Sequence, residues 1–303
     1  MKQQFKQIEF RGPTLELIGT FNEVIDDIQG QGVRRMTLRQ LYYQLVSRNV
    51  IANTPKEYRK MAGILSDARY AGLVDWDAIE DRGRRPTEWQ EYDSAKSAVD
   101  DMAENFRLER WKGQSNYVEL WVEKDALASV LTPIASEFHV PLQVNKGYSS
   151  TSAMKDSTDR IQYNCSKYAD DGERCQPIVF YLGDHDPSGE DMVRDIRERF
   201  ATFGLDDIDV RKLALTTAQV RQYKPPPNPA KVDDPRASSY IAQFGPTSWE
   251  VDALPPRTLR DIIVREFRGV IDQKLLDSIK KKEKTIISRL TDVADELSGE
   301  SEE

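Results

Sequence analysis

The N-terminal part of the chain shows the hydrophobic spacing of short amphipathic helices. Residues 13–29 place apolar side chains at helical intervals and end in two glycines, which predicts a first helix. Thr37 can cap a second helix, whose apolar stripe consists of Leu38, Leu41, Tyr42, Leu45 and Val46. The run Thr54-Pro55-Lys56-Glu57 is a capping box with proline at the first helical position, and it predicts a third helix that ends near Gly72.

A charged stretch, 74–86, follows these helices and carries the basic run Arg82-Gly83-Arg84-Arg85 near its end. Helix, turn, basic helix and basic hairpin-like stretch is the order of a winged helix-turn-helix domain. A small helical domain with a solvated basic face is the alternative, and we prefer the winged helix. The residues then expected to contact DNA are Arg59, Lys60, Arg84 and Arg85.

The net charge of −8 at neutral pH argues at first sight against nucleic-acid binding. The charge is unevenly distributed, however. The last twelve residues, 292–303, contain six acids and no base, whereas residues 31–72 contain eight bases and two acids. A basic segment within an acidic chain leaves DNA binding through the N-terminal part open.

From residue 94 onward the pattern changes to strands that alternate with helices. After a polar connecting helix over 94–112, strands are predicted at 117–122, 140–144, 178–182 and 208–215, and helices at 125–138, 152–169 and 188–203. This alternation predicts an α/β fold with a parallel, Rossmann-like sheet. The predicted parts are a winged-helix domain (1–93), a connecting helix (94–114), an α/β domain with an extension (115–273) and a C-terminal helix with an acidic tail (274–303).

The C-terminal part gives weaker signals. The proline-rich run 223–229 excludes helix and central strand and predicts an extended surface segment, and residues 259–271 predict a helix. Within 274–297, isoleucine or valine recurs every seven residues, which is a weak heptad. A terminal helix packed on its own domain and a dimerising helix are both compatible with that spacing.

No targeting or membrane segment is predicted. The first residues, MKQQFKQIEF, lack an apolar h-region, and no apolar stretch approaches the length of a membrane span. A cytoplasmic setting is expected, in which Cys165 and Cys175 remain thiols. Two cysteines and two histidines cannot by themselves complete a structural zinc site.

Acidic residues follow two of the predicted strands. Glu123 comes directly after the first strand, and Asp184 and Asp186 follow the third in the run Asp184-His185-Asp186-Pro187-Ser188-Gly189. Ligands of open α/β sheets bind beyond the carboxyl ends of the strands, and residues two apart on extended backbone point to the same side. Three carboxylates in one cleft need a cation, and such oxygen ligands suit Mg²⁺. Alone, Asp186-Pro187 is more simply a helix cap, but the joint pattern predicts a Mg²⁺ site of Glu123, Asp184 and Asp186.

These residues resemble the Toprim domain over roughly residues 115–215. The runs Glu123-Lys124-Asp125 and Asp184-x-Asp186-Pro187-x-Gly189 are similar to its acidic motifs, in the variety found in the topoisomerase VI A subunit and the meiotic double-strand-break transesterase. The predicted helix Leu38-Arg39-Gln40-Leu41-Tyr42-Tyr43 resembles the winged-helix segment that carries the nucleophilic tyrosine in that family.

The resemblance implies a role for each matching residue. Glu123, Asp184 and Asp186 would hold Mg²⁺, with Glu123 also able to move a proton, Tyr43 would attack a DNA phosphate, and Arg39 would balance charge on that phosphate. Tyr42 lies on the apolar stripe and is expected to be buried, whereas Tyr43 lies off it and is expected to reach a substrate. An ordinary boundary aromatic is an equally good interpretation of Tyr43.

The resemblance has limits, and it leaves several functions open. It implies a homodimer, and any ATP-driven strand passage would need a separate ATPase subunit because the chain has no Walker-type loop. From Thr216 onward the chain does not map onto that subunit and looks like Toprim proteins of bacteria and phages that occur alone. The leading hypothesis is a Mg²⁺-dependent DNA-cleaving enzyme with a tyrosine nucleophile. The alternatives are a hydrolytic nuclease and a non-catalytic DNA-binding or assembly protein.

Overall fold

A computed structural model describes residues 1–80, 89–169, 175–230 and 234–299. The basic run that contains Arg84 and Arg85 lies outside the described residues, so its predicted wing and DNA contacts stay predictions. The described chain is a mixed α/β fold, with helices at the N-terminal end, a four-stranded parallel sheet in the middle and further helices at the C-terminal end.

The chain begins with three helices, and the second and third start at the predicted caps, Thr37 and Thr54. They are α1 (Gly12–Gly30), α2 (Leu38–Ser47) and α3 (Pro55–Tyr70). At α2 the Thr37 side chain accepts a hydrogen bond from the Gln40 backbone N–H, and the Gln40 side chain accepts one from the Thr37 backbone N–H. At α3 the Thr54 hydroxyl accepts a hydrogen bond from the Glu57 backbone N–H. Local capping therefore fixes the first residue of both helices.

The connecting helix is shorter than predicted. Helix α4 spans Ala95–Asn105, whereas the polar pattern predicted a helix over 94–112. Phe106 takes an extended conformation, and the backbone N–H of Leu108 donates to Oε2 of Glu283, 2.9 Å away. This contact with the distant C-terminal helix draws the chain out of the helical path, which the local sequence does not signal.

The sheet consists of β1 (Asn116–Val122), β2 (Leu142–Val144), β3 (Gln176–Leu182) and β4 (Asp209–Ala214). All neighbours are parallel, in the order β2-β1-β3-β4. The crossovers contain α5 (Ala128–Phe138), α6 (Thr151–Tyr168) and α7 (Pro187–Thr202). The chain leaves β1 toward one edge and β3 toward the other, so the two central strands flank the switch point at which open α/β sheets bind ligands.

The C-terminal segment is more ordered than its irregular sequence predicted. It contains α8 (Thr217–Tyr223), β5 (Pro227–Pro229), α9 (Ala237–Phe244), β6 (Thr247–Trp249), α10 (Pro256–Val270) and α11 (Gln273–Gly299). Strands β5 and β6 form a separate antiparallel pair. The proline run is compatible with such a two-stranded pair, because a strand with one partner tolerates missing N–H donors.

Helix α11 packs along α4 of the same chain. The side chains of Arg110 and Glu283 form a buried ion pair with an N–O distance of 2.9 Å, and Lys96 approaches Asp295 to 3.3 Å. Helix α11 thus packs on its own chain, although Val293 of the predicted heptad is 45% exposed. The homodimer stays a prediction. None of the described helices has the length and apolar character needed to cross a bilayer.

Two groups of buried side chains cover the two faces of the sheet. On one face, Val118, Leu120 and Val122 of β1 belong to a core that continues through α5 and α10 to the N-terminal helices. On the other face, Tyr117 and Trp121 pack with residues of α6 and α7. The N-terminal helices and the sheet therefore share one continuous core, which holds α2 against the carboxyl edge of the sheet.

Candidate metal centre

The carboxyl ends of the two central strands bring Glu123 and Asp184 together. Val122 and Leu182 are paired neighbours in β1 and β3, and the Glu123 backbone N–H donates to the Leu182 carbonyl oxygen, 2.9 Å away. The Asp184 backbone N–H in turn donates to Oε2 of Glu123 over 3.1 Å. The two residues thus lie together at the predicted edge of the sheet, while the metal role of Glu123 stays a prediction because its carboxylate is not among the three that converge there.

A third segment closes on Asp184 from the C-terminal side. His185 and Trp249 exchange two backbone hydrogen bonds of 2.8 and 2.9 Å, so the loop after β3 pairs with the end of β6. The Val251 backbone N–H then donates to Oδ1 of Asp184, 2.9 Å away. This pairing places the two acids that flank Val251, Glu250 and Asp252, beside Asp184.

Asp184, Glu250 and Asp252 form a cluster that we call the acidic centre. One carboxylate oxygen from each lies within 4.8 Å of the others, a spacing that could hold a metal ion. Asp184 and Asp252 are buried, with 6% and 2% of their surface exposed, and Glu250 is half-buried. Burying three carboxylates together is costly unless cations compensate their charge.

Two basic side chains compensate most of that charge. The Lys124 ammonium lies 2.8 Å from Oδ1 of Asp184 and 3.1 Å from Oδ1 of Asp252, and it also contacts Glu250. The Arg39 guanidinium lies 3.2 Å from Oδ2 of Asp252 and contacts Glu250 as well. Two positive charges against three negative ones leave one negative charge uncompensated when all five groups are ionised.

The pKa values in the centre diverge because burial dominates at Asp184, whereas neighbouring positive charges dominate at Glu250. Burial raises the pKa of Asp184 to about 7, against the opposing charge of Lys124 and with the support of the Glu123 charge. Burial also acts to raise the pKa of Glu250, but the charges of Lys124 and Arg39 outweigh it and lower that pKa to about 2. Burial acts to lower the pKa of Lys124, and the three carboxylates outweigh it, so the ammonium stays charged.

Asp186 serves as the helix cap that its sequence context also suggested. Its Oδ1 accepts hydrogen bonds from the Gly189 backbone N–H, 2.7 Å away, and from the Ser188 hydroxyl, 2.9 Å away. Gly189 is required at this point, because a Cβ there would lie 2.1 Å from the Asp184 carbonyl oxygen. Asp186 lies next to the acidic centre but is not one of its three converging carboxylates, so its predicted metal role stays a prediction.

A cavity of about 650 Å³ lies beside the acidic centre, and the predicted nucleophile Tyr43 lines it. Its wall includes Asp184, Asp186, Glu250, Arg39 and Tyr43, all from one chain. The guanidinium carbon of Arg39 lies 5.5 Å from the centre of the Tyr43 ring. Four of the predicted site residues, Asp184, Asp186, Arg39 and Tyr43, therefore line one cavity within a single protomer, and Glu123 is not part of its wall.

Tyr43 is less accessible than its position off the apolar stripe predicted. Both tyrosines are buried, with 4% of Tyr42 and 7% of Tyr43 exposed. Burial, reinforced by the charges of Glu250 and Asp252, raises the pKa of the Tyr43 hydroxyl above its ordinary value. Tyr43 is buried because the segment after β6 packs on α2, and the N-terminal sequence alone gives no sign of this contact.

The other predicted residues lie at different distances from the acidic centre. Arg39 forms ion pairs with Glu250 and Asp252 of the acidic centre, so its guanidinium is not unpaired as the predicted phosphate role assumed. Arg59 is exposed and lines the cavity. Lys60 is 61% exposed and lies 3.7 Å from Glu57 on its own helix. The structure thus places one of the two described DNA-contact candidates beside the cavity.

Sequence reasoning missed Glu250, Asp252 and Lys124. A signal was present for the two acids, since Glu250-Val251-Asp252 repeats the two-residue spacing of Asp184 and Asp186. These two acids lie in the segment after Thr216, and the sequence did not indicate where that segment lies in the fold. Lys124 was noted only as a neighbour of Glu123, and nothing in its local sequence shows that its ammonium reaches acids more than a hundred residues away.

A second buried carboxylate in the sheet shows why burial alone does not make a metal ligand. Glu119 of β1 is fully buried, and its two oxygens accept hydrogen bonds from Tyr117, Trp121 and Arg160. The two bonds from Arg160 are each 2.8 Å long, one to each oxygen. Glu119 is therefore saturated by a bidentate arginine and two ring donors, and it stabilises the sheet and α6.

The raised pKa of Asp184 predicts that binding of a divalent cation depends on pH. A metal ion must displace the proton that Asp184 holds below a pH of about 7. We expect the affinity for Mn²⁺ to rise from pH 5.5 to pH 7.5, by up to roughly tenfold per pH unit, and to level off above that. Titration calorimetry at several pH values in buffers of differing ionisation enthalpy measures both the affinity and the released proton. An affinity that is constant over this range would contradict the assignment of Asp184 as a ligand.

Comparison with known proteins does not identify a family. No family model, no curated protein and no solved structure matches this chain. What the chain shows by itself is an α/β protein with a four-stranded parallel sheet in the order β2-β1-β3-β4 and a buried acidic triad that could hold a divalent metal ion.

Proposed function

We propose that this protein is a Mg²⁺-dependent enzyme that cleaves nucleic-acid phosphodiester bonds at the acidic centre. The observation that carries the proposal is the convergence of Asp184, Glu250 and Asp252 at the switch point of the sheet, where two of them, Asp184 and Glu250, line a cavity together with Tyr43 and Arg39. The likeness of the Glu123 and Asp184-x-Asp186 motifs to Toprim domains supports the same conclusion.

The donor set fits a hard divalent cation. Asp184, Glu250 and Asp252 would hold the metal through carboxylate oxygens, and the open cavity leaves room for water and phosphate oxygens as further ligands. When bound, Mg²⁺ would supply positive charge to a phosphate during cleavage. The Lys124 ammonium contacts the same oxygens, so it must release Asp184 for a metal to bind.

The basic side chains would bind and orient the substrate phosphate. Arg39 is 45% exposed and already lies against Glu250 and Asp252, so it can contact a phosphate next to the metal. Arg59 is exposed on the same cavity and can contact a neighbouring phosphate. The same two residues would favour a nucleic-acid backbone over a neutral ester.

The nucleophile in the leading form of the proposal is Tyr43. Its hydroxyl oxygen would form a bond to phosphorus as the bond from phosphorus to the leaving sugar oxygen breaks, and the tyrosine proton would pass to a base, the role suggested for Glu123. A second form, hydrolysis by water, is favoured by one observation. Tyr43 is buried and the pKa of its hydroxyl is raised, so the phenolate is harder to form there.

A cleavage assay tests the proposal. Purified protein is incubated with labelled supercoiled and linear DNA and either Mg²⁺, Mn²⁺ or EDTA, and the products are separated on denaturing gels. We expect metal-dependent nicks or breaks, and none in EDTA. Salt-sensitive DNA binding with no cleavage under any metal would instead identify a non-catalytic DNA-binding protein.

Substitution of Tyr43 by phenylalanine separates the two nucleophiles. If Tyr43 attacks the phosphate, Tyr43→Phe abolishes the covalent protein–DNA adduct and the cleavage, because the ring is kept and only the hydroxyl is lost. Tyr163→Phe is the matched control, since Tyr163 lies exposed on α6 and away from the cavity. Full cleavage by Tyr43→Phe without an adduct contradicts the tyrosine mechanism and assigns the attack to water.

A further inference from the structure

The cavity next to the acidic centre has the size and lining of a binding site for one nucleotide. We propose that it takes a single unpaired nucleoside phosphate, with the base between aromatic walls and the phosphate toward the acidic centre. The ligand is either a free nucleotide or the unpaired end of a strand, which share this chemistry. The orientation of the phosphate toward the acidic centre rests on the proposed function. The binding of the base does not.

Two aromatic side chains bound the cavity from different parts of the fold. Tyr58 comes from α3 and Trp249 from β6, and both are half-buried. Tyr58 packs edge-on against Tyr42, with ring centres 5.1 Å apart. Trp249 stacks on the buried ring of His185, with centres 5.6 Å apart and planes inclined by 26°. Each ring is thus held in place from behind, as a stacking wall for a planar base requires.

The polar lining fits the edge of a base. The Asn53 side-chain amide donates to Oδ1 of Asn228, which joins the loop before α3 to β5 in the wall of the cavity. Oδ1 of Asn53 also accepts a hydrogen bond of 3.0 Å from the Tyr42 hydroxyl. Asparagine amides offer both a donor and an acceptor, the combination that pairs with the edges of bases.

The charged lining includes two arginines that can contact a phosphate. Arg59 is exposed at α3, while Arg39 lies beside the acidic centre. The cap residue Thr54 and the first residue of α3, Pro55, also line the cavity. Because Arg39 and Arg59 line the same cavity as Tyr58 and Trp249, a guanidinium is available for the phosphate of a nucleotide bound there.

The volume argues against duplex DNA as the occupant. A cavity of about 650 Å³ falls in the range of small-ligand sites and holds a nucleotide but not a turn of duplex. Enzymes that act on a base or an end within such a pocket require that nucleotide to leave the stack. The site therefore favours unpaired ends over blunt duplex.

Titration calorimetry with Tyr58 variants tests this inference. The probes are dAMP, a short single-stranded oligonucleotide and a blunt duplex of the same sequence, each in EDTA and in Mg²⁺. We expect Tyr58→Ala to weaken binding of the single strand roughly 5- to 100-fold, the usual effect of losing one base stack. Tyr58→Phe, which keeps the ring, retains the affinity, and Tyr163→Ala on exposed α6 has no effect.

The outcomes separate this inference from the proposed function. Binding of dAMP that depends on Tyr58 identifies a free nucleotide as a sufficient ligand, whereas binding of the single strand alone identifies a strand end. The inference is overturned if neither binds, if Tyr58→Ala binds like the unaltered protein, or if blunt duplex competes equally. The dependence on Tyr58 in EDTA needs neither metal nor cleavage, so it survives if the proposed function fails.

Discussion

Replacement of Asp184 by asparagine will abolish metal-dependent cleavage while the fold remains intact. Asp184 is the one residue common to the acidic centre and to the strand-end motif, and its side chain lies between Lys124 and the Val251 backbone N–H. Asparagine keeps the shape and can accept the hydrogen bond from Val251, but it removes the charge that a divalent cation needs. The cleavage rate should fall by roughly 1000-fold or more, the scale of losing several kcal/mol of metal stabilisation.

The matched control for this substitution is Asp209→Asn. Asp209 is the first residue of β4, so it lies at the opposite edge of the same sheet, paired with Arg211 at 2.6 Å. We expect this variant to cleave like the unaltered protein, as measured by initial rates on labelled DNA under saturating Mg²⁺. Circular dichroism and thermal unfolding verify that both variants are folded. Unimpaired cleavage by Asp184→Asn would contradict the assignment of the reaction to this centre.

Replacement of Lys124 by methionine will make the stability of the protein depend on divalent metal. The ammonium is 13% exposed and contacts all three acids of the centre, so its loss leaves three buried carboxylates opposed by Arg39 alone. Removing one partner of a buried ion pair typically costs about 3–5 kcal/mol of the free energy of unfolding. A divalent ion that occupies the vacated position would restore the balance, and it would no longer compete with a lysine.

Thermal unfolding with and without Mn²⁺ measures this effect. In EDTA, Lys124→Met should unfold at a clearly lower temperature than the unaltered protein, and saturating Mn²⁺ should raise its unfolding temperature by more than that of the unaltered protein. Lys155→Met, which removes a 51% exposed lysine from α6, should change neither value. If Mn²⁺ fails to stabilise Lys124→Met, the lysine is a permanent counter-ion rather than the competitor of a metal.

The parts of the fold that the sequence predicted are those with local causes. Thr37 and Thr54 cap their helices, Pro55 begins α3, and these signals act within four residues. The buried strands β1 and β3 were also predicted, because each is a short apolar run between turns. Because strand ends of a parallel sheet share one edge, the meeting of Glu123 and Asp184 followed from the same local information.

The parts that the sequence did not predict depend on contacts between distant segments. The position of Glu250 and Asp252 depends on the pairing of Trp249 with His185, which is a tertiary hydrogen-bond pattern without a helix or strand signal. The burial of Tyr43 has the same origin, because the residues after β6 cover α2. The early end of α4 reflects the bond from Leu108 to Glu283. Periodicity describes one element at a time and contains no information about which segment covers it.

Binding of Mn²⁺, followed by electron paramagnetic resonance at pH 7.5, tests the central claim that the acidic centre holds a divalent cation. The free ion gives a signal that disappears on binding, so a titration yields both the stoichiometry and the affinity. We predict one tight site per chain that is lost in Asp184→Asn and kept in Asp209→Asn. The absence of a tight site in the unaltered protein, or a site that Asp184→Asn leaves unchanged, would contradict the account.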